Sequence, residues 1–176
     1  MNNKIRVYLD TSVISYLDQQ DMPDRMKDTQ EVWEILKSGK YKVIVSSLAI
    51  SEISECIDEK REILMSYLDE IDYEKYIVGE ETDELANLII QEGILREKSI
   101  DDATHIAAAI LSNSSMILSW NFKHLVNYNT INGVRQICFK KHLNRIIDIY
   151  SPYVLLENEE ENENEDNGKK GDENNG

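Results

Sequence analysis

Cysteine is scarce in this sequence, and long apolar runs are absent. Only two cysteines, Cys56 and Cys138, occur among 176 residues. Two isolated thiols exclude a disulfide framework and a cysteine-rich metal motif, and they are typical of reduced, partly buried thiols in a cytosolic protein. The longest unbroken apolar run spans residues 106–111, far short of the roughly 20 residues that a membrane helix needs. With no signal-peptide pattern at the N-terminus, we expect a cytoplasmic protein without membrane association.

Positive charge is also in short supply. The chain has 19 Lys and Arg against 34 Asp and Glu, a formal net charge of -15. This balance argues against a general affinity for nucleic acid phosphates, although it leaves room for a local basic groove. One basic segment stands out in the C-terminal half, formed by Lys123, Arg135, Lys140, Lys141 and Arg145. It either steers a nucleic acid backbone or forms a solvated face.

The last twenty residues differ in composition from the rest of the chain. Residues 157–176 have nine acidic and two basic side chains and consist almost entirely of Glu, Asn, Asp, Gly and Lys. Such a segment cannot bury enough apolar surface to fold. We therefore expect one domain over residues 1–156 and a disordered acidic tail over residues 157–176.

Apolar segments typical of strands alternate with segments that have helical periodicity. Strands are predicted at residues 5–9, 43–45, 76–78, 116–118 and 146–149. Helices are predicted at 11–19, 25–38, 59–69, 81–92 and 101–111. One more helix is predicted to begin after an N-cap at Ser46 or Ser47. This alternation indicates an α/β fold with a mainly parallel central sheet.

Polar side chains stand near the junctions between these strands and helices. Asp10 ends the first strand, Glu52 lies one turn into the helix after the second strand, Asp102 begins the helix 101–111, and Asn121 follows the strand 116–118. In an open parallel sheet, ligands bind outside the carboxyl ends of the strands. Carboxylates that converge there would repel one another, and a hard divalent cation with oxygen ligands removes that conflict. The pattern therefore predicts a metal site at this edge of the sheet.

Each of these residues also has a purely structural interpretation. Asp10 is a favoured helix N-cap, and Glu52 is either an exposed helix residue or one that borders the apolar face. Ser99 and Asp102 have capping-box spacing, although Glu or Gln is usual at the second position. The alanines that follow Asp102 favour close packing of this helix against the sheet, which would bring its N-terminus near the strand ends. Asp101 is expected to face solvent.

Side chains close to these positions allow two interpretations each. His105 lies on the same helix face as Asp102, where it would touch a substrate, hold Asp102 by a hydrogen bond, or serve only as a structural histidine. Trp120 and Phe122 would either stack on bases or belong to the core.

Four segments together resemble the PIN-domain family of metal-dependent ribonucleases, which includes the VapC-like toxins of bacterial toxin–antitoxin pairs. They are YLDTS at 8–12, SLAISEI at 47–53, DATHIAAA at 102–109 and SWNFKHL at 119–125. They occur in the order found in the family. The resemblance covers about residues 4–155 and implies a PIN-like three-layer α/β/α sandwich.

The resemblance implies a set of site residues and a cofactor. Asp10, Glu52 and Asp102 correspond to the acidic ligands of Mg²⁺ or Mn²⁺. Asn121 stands where many members have a fourth acid, so the catalytic set would comprise these three acids and Asn121. Ser12 stands where many members have Asn, and Ser119 where they have Thr or Ser. The candidate substrate-binding residues are Ser12, His105, Ser119 and Lys123.

The function implied by the resemblance is metal-assisted hydrolysis of RNA phosphodiester bonds by an endoribonuclease, as the toxin of a toxin–antitoxin pair. RNA, a cognate antitoxin and a second copy of the chain are the expected partners. One alternative is a catalytically weak PIN-like module that binds RNA or protein, which Asn121 and the acidic charge favour. Another is a doubly wound phosphotransfer domain built around Asp10. Ser12 opposes the second alternative, because those domains need an acid two residues after the first aspartate or a paired acidic dipeptide.

Overall fold

A computed structural model describes residues 4–143 and 146–161. In that part of the chain the strands are β1 (Arg6–Leu9), β2 (Lys42–Ser46), β3 (Tyr73–Tyr76), β4 (Met116–Leu118) and β5 (Asp148–Tyr150). The first four helices are α1 (Thr11–Ser15), α2 (Pro23–Lys37), α3 (Ser47–Ser54) and α4 (Asp58–Asp69). The next three are α5 (Glu80–Gln91), α6 (Ile100–Leu111) and α7 (Tyr128–Lys140), and α8 spans 153–161.

The five strands form one sheet in the order β3-β2-β1-β4-β5, and all neighbouring strands are parallel. The chain builds the sheet in one direction from β1 to β3 and then returns to add β4 on the other side of β1. The strand order therefore reverses between β1 and β4, and such a switch point opens a crevice outside the carboxyl ends of the two strands.

Both faces of the sheet are covered by helices, as expected for strands with continuous apolar runs. On β1, Val7 and Leu9 pack in one cluster with residues from α1 to α4 and with Leu155 of α8. Tyr8 points to the opposite face and packs with α5, α6 and α7. This arrangement confirms the predicted three-layer α/β/α sandwich around a parallel sheet.

The two edge strands lie at positions that differ from the predicted ones. β3 spans Tyr73–Tyr76 and not 76–78, because residues 73–76 pair with β2 whereas Ile77 is 64% exposed. β5 spans Asp148–Tyr150 and not 146–149, because Ile149 pairs with Ile117 while Ile146 is 65% exposed. An edge strand is buried on fewer sides, so its apolar pattern defines its ends poorly.

Helix α7 was not among the predicted elements. Asn127 caps it, and the side chain of Asn127 accepts a hydrogen bond from the backbone nitrogen of Thr130. Gly133 interrupts the helical pattern in the sequence, and glycine lowers helix propensity. The buried face formed by Val134, Ile137 and Cys138 compensates by packing against the sheet.

Helix α8 continues past residue 157, where the predicted acidic tail begins. Residues 157–161 continue α8, and Lys40 donates a hydrogen bond to Glu159. Residues 162–176, the rest of the predicted tail, lie outside the described residues, as does Arg145. Both cysteines are free thiols; Cys138 is buried and Cys56 half-buried. Among the described helices, none combines the length and the apolar character needed to cross a membrane.

Candidate active site

Asp10 sits at the switch point, directly after β1. Its backbone nitrogen donates to the carbonyl oxygen of Leu118 at 3.1 Å, which extends the contact between β1 and β4. The side chain is the N-cap of α1, so the capping interpretation of Asp10 is correct. The residue is only 5% exposed, and its carboxylate lies in the cluster of polar side chains that gather at this switch point.

Two serines hold one oxygen of Asp10. The hydroxyl of Ser12 donates to Oδ2 at 2.5 Å, and the hydroxyl of Ser119 donates to the same oxygen at 2.7 Å. Ser12 also accepts a hydrogen bond from the backbone nitrogen of Trp120, and Ser119 accepts one from that of Asn121. The two predicted substrate-binding serines thus join α1 to the end of β4 and leave Oδ1 of Asp10 for other contacts.

Glu52 and His105 meet in the same crevice. Glu52 reaches it from α3, and its Oε2 lies 2.9 Å from Nε2 of His105 on α6. The hydroxyl of Thr11 also donates to this oxygen. Nε2 of His105 lies 3.6 Å from Oδ1 of Asp10, so the imidazole stands between two carboxylates. Glu52 is therefore not an ordinary solvated helix residue.

A buried chain of hydrogen bonds supports His105 from behind. The hydroxyl of Tyr8 donates to Oγ of Ser46 at 2.7 Å, and Ser46 is the N-cap of α3. The Tyr8 oxygen also lies 2.7 Å from Nδ1 of His105. The imidazole is therefore held through both ring nitrogens, by Tyr8 on one side and by Glu52 on the other.

The contacts in this cluster shift the pKa values of His105 and Glu52. Burial alone would lower the pKa of His105, but the hydrogen bond to Glu52 and the charges of Asp10, Glu52 and Asp102 outweigh it and raise the pKa. Burial alone would raise the pKa of Glu52, but the contacts with His105 and Thr11 lower it. Glu52 and His105 thus stabilise each other in their charged forms.

Asp102 enters the crevice from the first turn of α6. Its Oδ1 accepts a hydrogen bond of 2.9 Å from Nδ2 of Asn121. The capping box proposed for Ser99 and Asp102 does not form, because the Ser99 side chain makes no cap hydrogen bond. Burial and the charge of Asp10 raise the pKa of Asp102, against the opposing effects of His124 and His105. Asp101 is exposed, as predicted.

Asn121 contacts Asp102 through its amide nitrogen and not its oxygen. The oxygen accepts a hydrogen bond of 3.0 Å from the backbone nitrogen of His124. In this arrangement Asn121 orients Asp102 and adds no oxygen to the carboxylate cluster. Thr11 and Tyr8 also belong to the site, through their contacts with Glu52 and His105. The sequence did not predict them, because an isolated hydroxyl in a strand or helix has no sequence signal of its own.

The remaining predicted residues lie around the cluster. Lys123 is exposed and lines a cavity beside His124. Trp120 belongs to the core, and its indole nitrogen donates to Thr29 at 2.9 Å. Phe122 is 41% exposed, and the guanidinium of Arg25 lies 5.4 Å from its ring centre.

The oxygen donors of this site suit a hard divalent cation held by two aspartates. Mg²⁺ is commonly bound by one or two carboxylates, while waters and substrate phosphates complete its shell. The raised pKa of Asp102 beside Asp10 reflects negative charge that a cation would neutralise. Glu52 differs, since His105 and Thr11 already occupy one of its oxygens. Within residues 4–143 and 146–161, no group of three or more His, Cys, Asp or Glu side chains is arranged to hold a metal ion, so the three-carboxylate site stays a prediction.

Fold and site together define a three-layer α/β/α protein with a carboxylate-lined crevice at its topological switch point. The searches against protein-family models and curated proteins found no match for this chain. Among solved structures, it is similar to the crystal structure of VapBC2 from Rickettsia felis bound to a DNA fragment from their promoter. The identity is 15%, the match covers 84% of this chain and 100% of that chain, and the TM-score is 0.49. At these values the similarity assigns no family.

Proposed function

We propose that this chain is a divalent-metal-dependent endoribonuclease that hydrolyses RNA phosphodiester bonds. The observation that supports it is the meeting of Asp10 and Asp102 with the Glu52–His105 pair in one crevice. Active sites are where burial and neighbouring charges shift the pKa values of ionisable groups, as they do here for Glu52, Asp102 and His105. The resemblance of the four sequence segments to metal-dependent ribonucleases gives the reaction class.

Each residue of the cluster would have a separate role in the proposed hydrolysis. Asp10 and Asp102 would hold Mg²⁺ or Mn²⁺, which supplies an activated water and stabilises the negative charge developing on the phosphate. Ser12 and Ser119 keep Asp10 in place, and Asn121 does the same for Asp102. Glu52 is a carboxylate with a lowered pKa and would orient the attacking water, while His105 fixes its position.

Asp102→Ala tests this proposal, and Asp101→Ala is its matched control. The two aspartates are neighbours in the first turn of α6, but Asp101 is exposed. Asp102→Ala should lower metal-dependent RNA cleavage by at least about 100-fold, because a Lewis-acid metal supplies several kcal/mol of transition-state stabilisation. Asp101→Ala should cut at the wild-type rate.

Thermal melting of the same variants separates chemistry from folding. Removing Asp102 deprives Asn121 of a hydrogen bond, a loss of about 1–3 kcal/mol, and also relieves repulsion with Asp10. Asp102→Ala should therefore stay folded at the assay temperature. If it is less stable but cuts RNA at the wild-type rate, Asp102 is a structural residue and the nuclease proposal loses its main support.

A catalytically weak module that binds RNA or protein is the second candidate. The finding that favours it is the absence, within the described residues, of three ligand side chains arranged around one ion, together with Asn121 acting as a donor to Asp102. A purified wild-type chain that binds RNA but leaves it intact with Mg²⁺ and Mn²⁺ would establish this alternative.

Toxin activity and an antitoxin partner follow from the sequence resemblance alone. If the chain is such a toxin, its induction without a partner should arrest growth and Asp102→Ala should not. Co-expression with the product of an adjacent small gene should restore growth. Wild-type induction without any effect on growth would contradict the toxin role and leave the nuclease proposal standing.

A further inference from the structure

A cavity with several basic side chains in its lining lies near the carboxylate cluster, to which it is connected through His124 and Asn121. It has a volume of about 400 Å³, which falls within the range of about 300–1,000 Å³ typical of ligand pockets. Its basic lining consists of Arg96, Lys98, Lys123 and His124. The cavity gathers cationic side chains in a chain whose formal net charge is -15.

The permanent cations of this cavity are not used for ion pairs within the described part of the chain. Most other basic residues with defined contacts are neutralised, as in Arg6 with Glu74 and Lys140 with Glu92. Arg96, Lys98 and Lys123 are exposed, and none of them has a carboxylate within 4.0 Å among the described ion pairs. Their charge is therefore available to an anionic ligand.

Hydrogen bonds connect this cavity to Asp102. The backbone nitrogen of His124 donates to Oδ1 of Asn121, and Nδ2 of Asn121 donates to Asp102. Lys98 also lines the cavity, and it lies in the short 3-10 turn Glu97–Ser99 that directly precedes α6. One residue, Asn121, thus separates the basic cavity from the carboxylate crevice.

The walls of the cavity are held by packing and by capping. Ile94 packs against α7 at Gly133, where an added Cβ would come within 2.7 Å of Ile94 Cγ1. The first turn of α7 forms another wall, with Asn127 as its N-cap and Thr130 donating to the carbonyl oxygen of His124 at 2.7 Å. The N-terminal end of a helix has a positive partial charge that favours anions.

The geometry points to a binding site for a backbone phosphate of single-stranded RNA in this cavity, next to the phosphodiester bond at Asp10 and Asp102. This inference rests on the proposed nuclease function and extends it, because it assigns the contact that positions the strand. Arg96, Lys98 and Lys123 bind the phosphate, and Ile94 and Leu95 line the apolar side of the cavity.

Several observations favour an RNA strand over an acidic protein segment. The cavity is concave and has room for a nucleotide, and it combines cations with asparagine and threonine side chains. An RNA strand carries evenly spaced phosphates, so one phosphate can occupy the cavity while another part of the same strand reaches Asp10 and Asp102.

The test is the salt dependence of binding to a fluorescein-labelled 12-nucleotide oligouridylate in EDTA. The full-length chain is compared with Lys98→Gln/Lys123→Gln and with the control Lys4→Gln/Lys75→Gln, which has the same net charge. Each lost contact to a single strand lowers the slope of log K against log salt by about 0.7. In Lys98→Gln/Lys123→Gln the magnitude of the slope of log K against log salt should fall by about 1.4, and binding at 0.1 M salt should be about 25-fold weaker. The control should bind like the wild type.

Three results would overturn the inference. The first is an equal slope and affinity in the two double variants. The second is binding of uridine monophosphate as tightly as the oligonucleotide, which would make the cavity a site for a free nucleotide. The third is tighter binding of an oligoglutamate peptide than of the RNA, which would make it a protein-binding surface.

The binding assay is independent of cleavage, because EDTA removes divalent metal and a gel confirms that the oligonucleotide stays intact. Binding that depends on Lys98 and Lys123 in a chain that never cuts RNA would remove the nuclease function and leave the phosphate site. If cleavage requires Asp102 but binding does not depend on Lys98 or Lys123, the nuclease function stands and the phosphate site is ruled out.

Discussion

At the scale of single residues, the feature that distinguishes this site is a buried imidazole between two carboxylates. His105 is 2% exposed and contacts Glu52 and Asp10 through one ring nitrogen and Tyr8 through the other. Its charge offsets part of the repulsion among the acidic side chains. Glu52 is thereby held in place, and Asp10 and Asp102 are the two carboxylates proposed to bind a cation.

The first residue-scale prediction concerns that cation. Mn²⁺ should raise the melting temperature of the wild type, since a ligand at 100 times its Kd stabilises the native state by about 2.7 kcal/mol. Asp10→Asn should lose most of this shift, because Asp10 is one of the two proposed ligands. Asp101→Asn is the control and should keep it. A full Mn²⁺-induced shift in Asp10→Asn would show that the ion binds elsewhere.

The second residue-scale prediction concerns the pH dependence of stability. A histidine whose pKa is raised on folding stabilises the native state fully below its unfolded pKa of about 6.5, and this stabilisation disappears as the pH rises through the folded pKa. Unfolding free energies measured from pH 6 upward should therefore decline more steeply in the wild type than in His105→Gln. The exposed His142 offers the control, His142→Gln, which should follow the wild type.

Parallel pH profiles for the wild type and His105→Gln would contradict the charged state of His105. The lowered pKa of Glu52 acts in a different window, because a carboxylate with a depressed pKa loses its stabilising effect only as the pH falls below its ordinary range. The two effects can therefore be separated along one pH titration.

At the scale of elements, the contact between Ile94 and α7 shapes the basic cavity. Gly133 lies inside a helix, where alanine is normally favoured by about 1 kcal/mol. An added Cβ would nevertheless overlap the side chain of Ile94 at 2.7 Å, and overpacking typically costs about 1–3 kcal/mol. Gly133→Ala should therefore destabilise the chain in urea denaturation.

A double variant provides the control for this prediction. In an Ile94→Ala background the overlap disappears, so Gly133→Ala should become neutral or stabilising through helix propensity alone. If Gly133→Ala has the same effect in both backgrounds, the contact between Ile94 and α7 does not determine the choice of glycine.

At the scale of the whole molecule, helix α8 packs on one face of the sandwich. Leu155 is fully buried in the cluster beneath it, and Glu159 contacts Lys40 near the start of β2. The domain thus includes residues that composition alone assigns to the acidic tail. The first turns of α8 matter for packing, and its end contributes little more than an exposed ion pair.

Truncation should reflect this division. A chain ending after Glu161 should melt like the full-length chain, because the removed residues are almost entirely polar. Leu155→Ala in the full chain should cost about 2–5 kcal/mol, as expected for a buried leucine. A drop of several degrees on removal of residues 162–176 would show that this segment packs on the domain.

The sequence by itself determined the order of strands and helices at the centre of the fold and the polar residues at their junctions. The segments at 5–9, 43–45 and 116–118 are apolar enough to predict buried strands, because central strands are covered on both faces. Asp10, Glu52 and Asp102 stand out because a carboxylate at the end of such a segment needs an explanation. The local patterns predict a metal site, and the proposed type of chemistry comes from the motif resemblance.

Only the tertiary structure decided which of these side chains touch. His105 and Glu52 are 53 residues apart, and their contact depends on strand order and on the packing of α3 and α6 around β1. The role of Asn121 as a donor to Asp102, and the cavity that joins residues 94–98 to 123–130, depend on the same long-range packing. Helix α7 and the edge strands also depend on long-range packing. Their local sequence patterns are weak, so these elements are stabilised mainly by the surfaces on which they pack. Periodicity reports burial within one element, whereas a site assembled from several elements is defined by how the sheet brings them together.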